Sequence, residues 1–187
     1  WPIAAPIHFV TGDPLLTYNL TLFLTWPLSG LAVFLLATSL GVRWGPALVG
    51  GLVFAFAPYR VSQLSHLQVV APFWLPLALA ALHRYVSTRA WIWLAAFGAA
   101  WVLQSLTNGY FMLFGAVVIA LWIVYFCSTR ATISALPAIG VAWAVASLPL
   151  LPVLLEYKRI HEHFGLARPI GAVKAYSAQS AAWVQTS

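Results

Sequence analysis

Three short stretches of an otherwise apolar chain hold residues whose types and spacing could do chemistry. The first is APYRVSQLSHLQVVAP, residues 57–72, which puts Arg60, Gln63, His66 and Gln68 within nine residues. A permanent cation, an imidazole and two amides together suit a phosphate or a sugar hydroxyl. If this segment is helical, Ser62 and His66 are i,i+4 neighbours, as are Tyr59 and Gln63, and Arg60 joins that face through Gln63 at i+3. The competing reading is an interfacial turn, with Arg60 snorkelling to lipid headgroups while Gln63 and His66 face water. Spacing leaves both open.

The second stretch is LQSLTNGYF, residues 103–111. Gln104 and Asn108 stand i,i+4 apart, with Ser105 and Thr107 beside them and Gly109 and Tyr110 following. An Asn-Gly pair supports a left-handed turn, so a plain helix-to-helix hairpin accounts for it. The functional alternative is an open mouth where amides and a phenol line a cavity.

The third is LLEYKRIHEHFGLARPIG, residues 154–171, which gathers Glu156, Lys158, Arg159, His161, Glu162, His163 and Arg168. His161 and His163 are i,i+2 and cannot share a helix face, so a zinc pair would need a strand or loop. No third ligand follows, and no metal site is expected. A solvated segment that touches anionic headgroups fits better.

Acid/base chemistry has few candidates. The chain holds only three carboxylates, Asp13, Glu156 and Glu162. Asp13 precedes Pro14 in TGDPLLTYNL, where it suits a helix N-cap as well as a catalytic role. No Gly-rich phosphate loop, His-Glu-x-x-His or Gly-x-Ser-x-Gly motif occurs, and no cofactor is implied.

The elements that must position these groups are membrane spans. Of 187 residues 63% are hydrophobic and only 6% charged, with mean hydropathy +0.91. A soluble domain carries about a quarter charged residues, and so little polarity cannot cover a water-soluble globule. The expected fold is all-α, a polytopic transmembrane helical bundle in a lipid bilayer. At about 20 residues per crossing, spans are expected near 16–38, 45–58, 67–83, 90–107, 110–127 and 132–155, with a partial one at 1–10. That makes about six spans and part of a seventh over residues 1–156, followed by a juxtamembrane tail at 157–187. The opening WPIAAPIHFV has no initiator Met and an apolar run already under way, the pattern expected of an N-terminally truncated piece.

Connections between these spans alternate between two sides. One collects Arg43, Arg84, Arg89 and Arg130; the other collects Asp13, Arg60, the Asn108-Gly109 break and the tail after Glu156. Positive-inside places the first side in the cytoplasm, and so puts every polar stretch on the extracytoplasmic face. Trp44, Trp91, Trp93 and Trp122 fall near predicted interfaces, where indoles anchor. The net charge of +6 is scattered singly, with no basic stripe, which excludes a nucleic-acid partner. The single cysteine, Cys127, excludes an internal disulfide and reads as a packed, inert thiol.

Read in order, TGDPLLTYNL, GLVFAFAPYRVSQLSHLQVVAPFWLPLALAALHRY, LQSLTNGYFMLF and LEYKRIHEHFGLARPIGAVKAYSAQSAAW resemble uncharacterised bacterial polytopic membrane proteins similar to the GT-C superfamily. Members of that superfamily transfer sugars from polyprenyl-phosphate carriers. The resemblance covers essentially the whole chain, and its most specific parts are PYR-x5-H-x-Q and NGY followed by an aromatic. It implies a GT-C-like glycosyltransferase core in the bacterial inner membrane that uses a polyprenyl-phosphate-linked sugar donor on the extracytoplasmic face. Arg60 and His66 would then hold the carrier phosphate, while Gln68, Asn108 and Tyr110 orient carrier or sugar, with Lys158 and Arg159 near the headgroups. The family's catalytic acid follows its first span and would lie upstream of Trp1; Asp13 sits in a later connection and does not inherit that role. The rival expectation is a transporter or flippase-like protein for an anionic lipid or solute, although the repeated halves typical of transporters are absent. A scaffold whose polar clusters only terminate helices is a third.

Overall fold

The computed structural model describes residues 2–165 and 169–176; Trp1, Arg168 and the tail beyond residue 176 lie outside the described residues. Among those described, all regular structure is helical. Two compact units divide the chain, one ending at Leu150 and the other beginning at Leu151.

In the first unit, helix boundaries follow local stereochemistry. Helix α1 (Ala4–Thr11) ends at Gly12, whose φ of 64° needs a residue without Cβ strain. Asp13 then caps α2 (Pro14–Ser39), accepting from the Leu15 and Leu16 amides at 2.8 and 3.1 Å, with Pro14 in the first helical position. Of the two roles open to Asp13, capping is the one observed. Helix α3 (Trp44–Ala55) returns after a turn through Gly41, and α4 (Pro58–Ser62) is a single turn. Helices α5 (Trp74–Thr88) and α6 (Trp91–Thr107) are joined at Arg89, the one non-glycine described residue at positive φ. After α7 (Gly109–Phe126) come the short α8 (Arg130–Ile133), α9 (Leu136–Ser147) and a 3-10 turn, Leu148–Leu150.

Side-chain contacts set the directions of these helices. Gly30 meets Gly51, and Trp26 stacks on Phe56 at 5.4 Å, so α2 and α3 are antiparallel. A Cβ on Gly51 would sit 2.5 Å from the Gly30 carbonyl oxygen, so this close crossing requires glycine there. Gln104 reaches Leu75 while Arg84 covers Trp93, which makes α5 and α6 antiparallel. Gly115 lies near Leu75 and His83 packs on Trp122 and Phe126, so α7 runs alongside α5 in the same direction. Phe97 and Trp101 both meet Trp143, and Trp101 donates to the Ser147 hydroxyl at 3.0 Å, aligning α9 with α6. The main core lies between α5, α6, α7 and α9, around Leu82, Phe97, Trp101, Ile119 and Ile139. At one end of this set Arg89 donates to the Ala131 carbonyl at 2.7 Å and the Ser134 hydroxyl at 3.0 Å, tying two of the predicted basic connections together.

Three helical runs are long and apolar enough to cross a membrane: Pro14–Ser39, Gly109–Phe126 and Ala131–Phe164. Their outer faces are apolar and exposed, as at Phe23, Leu113, Leu121, Val124 and Val141. Water would not stabilise such surfaces, so a lipid bilayer is their environment.

Several sequence expectations are corrected. Residues 67–83 do not form one helix: 63–73 is a chain of turns and α5 begins only at Trp74. Pro72 sets that delay, because it disfavours helical backbone in the residue before it. The face proposed for Ser62 with His66 is therefore not built, since α4 ends at Ser62. Asn108 is extended (φ −159°, ψ 129°), not left-handed, and it serves both as C-cap of α6 and N-cap of α7. Trp122 is buried in the core and anchors no interface, whereas Trp44 and Trp91 are exposed at helix starts. The expected last span, 132–155, by contrast falls within the long apolar run Ala131–Phe164.

The second unit holds α10 (Leu151–Phe164), closed by Gly165 at φ 58°, and α11 (Ile170–Tyr176).

Candidate functional site

The end of the first unit opposite Arg89 carries a cleft of about 230 Å³. Four elements converge there: the start of α1, the middle of α2, the 63–73 connection leading into α5, and the C-terminal end of α6. Its polar lining is Thr21, Thr25, Gln68, Trp74 and Thr107, set among apolar groups that include Ile3, Leu67 and Phe73.

Helix α2 contributes a stripe absent from the sequence-level candidates. Thr17, Thr21, Thr25 and Ser29 recur every fourth residue and are all buried. Each hydroxyl donates to a carbonyl of its own helix or cap, for example Thr21 to Thr17 at 2.7 Å and Thr25 to Leu22 at 2.7 Å. Thr107 does the same to Leu103 at 2.7 Å. With its proton spent on the backbone, a threonine hydroxyl offers only acceptor lone pairs to whatever faces it. Trp74 also lines the cleft, and its Nε1–H is buried with no partner among the described residues.

Arg60 is 3% exposed and does not line the cleft. Its Nη2 donates to the Val70 carbonyl at 2.6 Å, the Thr25 carbonyl at 3.2 Å and the Thr25 hydroxyl at 3.3 Å. The guanidinium also lies 4.8 Å from the Trp26 ring centroid. Its Nε and Nη1 are buried without partners among the described residues. Burial pulls the pKa of Arg60 below its ordinary value, yet a guanidinium remains protonated in proteins. Arg60 is thus neither a snorkelling side chain nor a cleft ligand. It is a buried cation that ties the turn chain to α2 through Thr25, a residue that also lines the cleft.

Gln104, 1% exposed, makes the second tie. Its Oε1 accepts from the Leu75 amide at 3.0 Å and its Nε2 donates to the Ala71 carbonyl at 3.3 Å. Backbone groups in the irregular 63–73 segment must find partners once buried. Arg60 and Gln104 supply them from either side, and so fix the cleft wall.

The remaining candidates are dispersed. Gln68 lines the cleft and is exposed. His66 is exposed, its Nδ1 3.1 Å from the Ser65 hydroxyl, and is not in the lining. Asn108 caps α7 by accepting from the Tyr110 amide at 2.9 Å, and the Tyr110 side chain is 67% exposed. Lys158 and Arg159 belong to the second unit, in solvent-exposed pairs with Glu162 and Glu156, each at 3.7 Å. Among the described residues no carboxylate lines the cleft, and no group of three or more His, Cys, Asp or Glu could hold a metal.

Comparison with protein-family models, curated proteins and solved structures finds no match for this chain.

Proposed function

We propose that this chain is the multi-pass, membrane-embedded part of a GT-C-like glycosyltransferase in a bacterial inner membrane. It would take a polyprenyl-phosphate-linked sugar on the extracytoplasmic face. The observation that carries the reading is the charge-free cleft. Threonine acceptors and the Gln68 amide together match the mixed donors and acceptors of sugar hydroxyls, and Trp74 adds an apolar face. Arg60, held beside Thr25 with no carboxylate to neutralise it, contributes positive potential suited to the carrier phosphate without touching it. The resemblance of PYR-x5-H-x-Q and NGY to that superfamily points the same way.

The test is binding of a short-chain polyprenyl-phosphate sugar to the chain in lipid nanodiscs, read by tryptophan fluorescence. Gln68→Ala and Thr107→Val should each weaken binding about tenfold, the effect of losing one hydrogen bond of ~1.4 kcal/mol. A conjugate that binds no tighter than the unglycosylated carrier phosphate would overturn the reading. A second reading, a transporter or flippase-like protein for an anionic lipid or solute, is favoured by one observation: among the described residues no carboxylate lines the cleft for acid/base work. Flux of the same conjugate across vesicles, without transfer of its sugar, would select it.

A further inference from the structure

We infer that α10 is an interfacial helix that lies along the lipid surface and is held there by one apolar stripe. Val153, Tyr157, Ile160 and Phe164 follow i, i+4, i+7 and i+11. At 100° per residue they fall within about 60° of arc. All four are exposed, Tyr157 at 74% and Phe164 at 67%, and no residue of α10 is buried. Lys158, Arg159 and Glu162 occupy the opposite side of the helix, which Leu151 and Leu155 share nearer its start, so the segment is amphipathic from Glu156 onward, where α7 and α9 are apolar all round.

The occupant of that stripe follows from the chain around it. The helical run Ala131–Phe164 is 34 residues long, whereas a bilayer core takes about 20. The run is thus about 14 residues longer than one crossing, and its charged part, from Glu156 to Phe164, lies in α10. A segment leaving the bilayer with one apolar face exposed has the headgroup–acyl boundary as its nearest apolar phase. Charge is not the main attraction. Lys158 and Arg159 are matched in number by Glu156 and Glu162 and lie within 3.7 Å of them. Such exposed pairs are weak, which leaves both cations able to exchange partners with lipid phosphates. This inference does not depend on the glycosyltransferase reading.

The test is site-directed spin labelling of the full chain in phosphatidylcholine vesicles, with and without phosphatidylglycerol. Single cysteines are introduced from Val153 to Phe164, and the parent, whose Cys127 is buried, serves as the labelling blank. Collision with oxygen reports the apolar phase, and collision with a water-soluble nickel chelate reports water. The oxygen-to-nickel ratio should rise at 153, 157, 160 and 164 and fall at 158, 159 and 162, in both lipid compositions. High nickel collision at every position would mean a helix projecting into water and would overturn the inference. High oxygen collision throughout would mean a continuing span, with the same consequence. A stripe shielded from both reagents would identify a protein partner instead, and a pattern lost in phosphatidylcholine alone would refute apolar anchoring.

Discussion

Replacing Arg60 by methionine separates a structural tie from a phosphate clamp. Methionine keeps most of the side-chain volume but removes the charge and all its donors. In the wild type Nη2 makes one short bond, to the Val70 carbonyl at 2.6 Å, and two longer ones to Thr25. Bonds to a charged donor contribute about 1.5–3 kcal/mol net at good geometry, so the three together are worth roughly 3 kcal/mol. Stacking on Trp26 adds about 1 kcal/mol. Against this stands the cost of the unpartnered Nε and Nη1, on the order of 2 kcal/mol. Thr25 loses little, because its carbonyl keeps the Ser29 hydroxyl and its own hydroxyl keeps Leu22. The Val70 carbonyl is the group left without Arg60. Arg60→Met should therefore destabilise the protein by about 2 kcal/mol, or roughly 4–8 °C in Tm for a chain of this size. Thermal unfolding in detergent, followed by fluorescence-detected size exclusion, reads this directly. Hydrogen exchange should rise across residues 63–73 and stay unchanged in α9. A variant as stable as wild type or more so would refute the reasoning, since relief of an uncompensated buried cation would then dominate and a ligand would be needed to explain its retention.

Gly51→Val should separate α2 from α3, because its Cβ would meet the Gly30 backbone at 2.5 Å; a loss of about 1–3 kcal/mol is expected in the same assay. Gly50→Ala, with nothing within 4 Å of the new Cβ, should be neutral or slightly stabilising. Asp13→Ala should cost about 1 kcal/mol by releasing two amides at the start of α2, and Asp13→Asn, which can cap equally, should restore most of it. Gln104→Leu should cost about 1–3 kcal/mol by leaving the Ala71 carbonyl without its amide donor, with hydrogen exchange rising from 71 to 75.

How much of the cleft was legible depended on the range of the interactions involved. Asp13 followed by Pro14 reads as a cap because the hydrogen bonds span two or three residues. Asn108 reads as a break, but not as the extended, shared cap that it forms, because backbone dihedrals there answer to the packing of α6 against its neighbours. The hydroxyl stripe is a four-residue repeat, Thr17, Thr21, Thr25 and Ser29, inside a segment whose hydrophobicity by itself signals only a span. His66 and Gln68 are two residues apart and both polar, yet only Gln68 lines the cleft, since the turns after α4 aim them separately and no sequence spacing reports on those turns.

The sequence by itself determined that this chain is helical and lives in lipid. So few charges among so many apolar residues leave no other medium, and apolar backbone must satisfy its own hydrogen bonds. Within the first unit it also determined that the stretches at 57–72 and 103–111 lie at the end opposite Arg89, because helix length sets where the chain turns. Only the tertiary structure decided what Arg60 does. Its partners stand 10 and 35 residues away in the chain, and no local spacing distinguishes a guanidinium reaching out to headgroups from one folded inward onto Thr25 and Val70. The same holds for Gln104, whose two bonds cross 29 and 33 residues to hold the cleft wall.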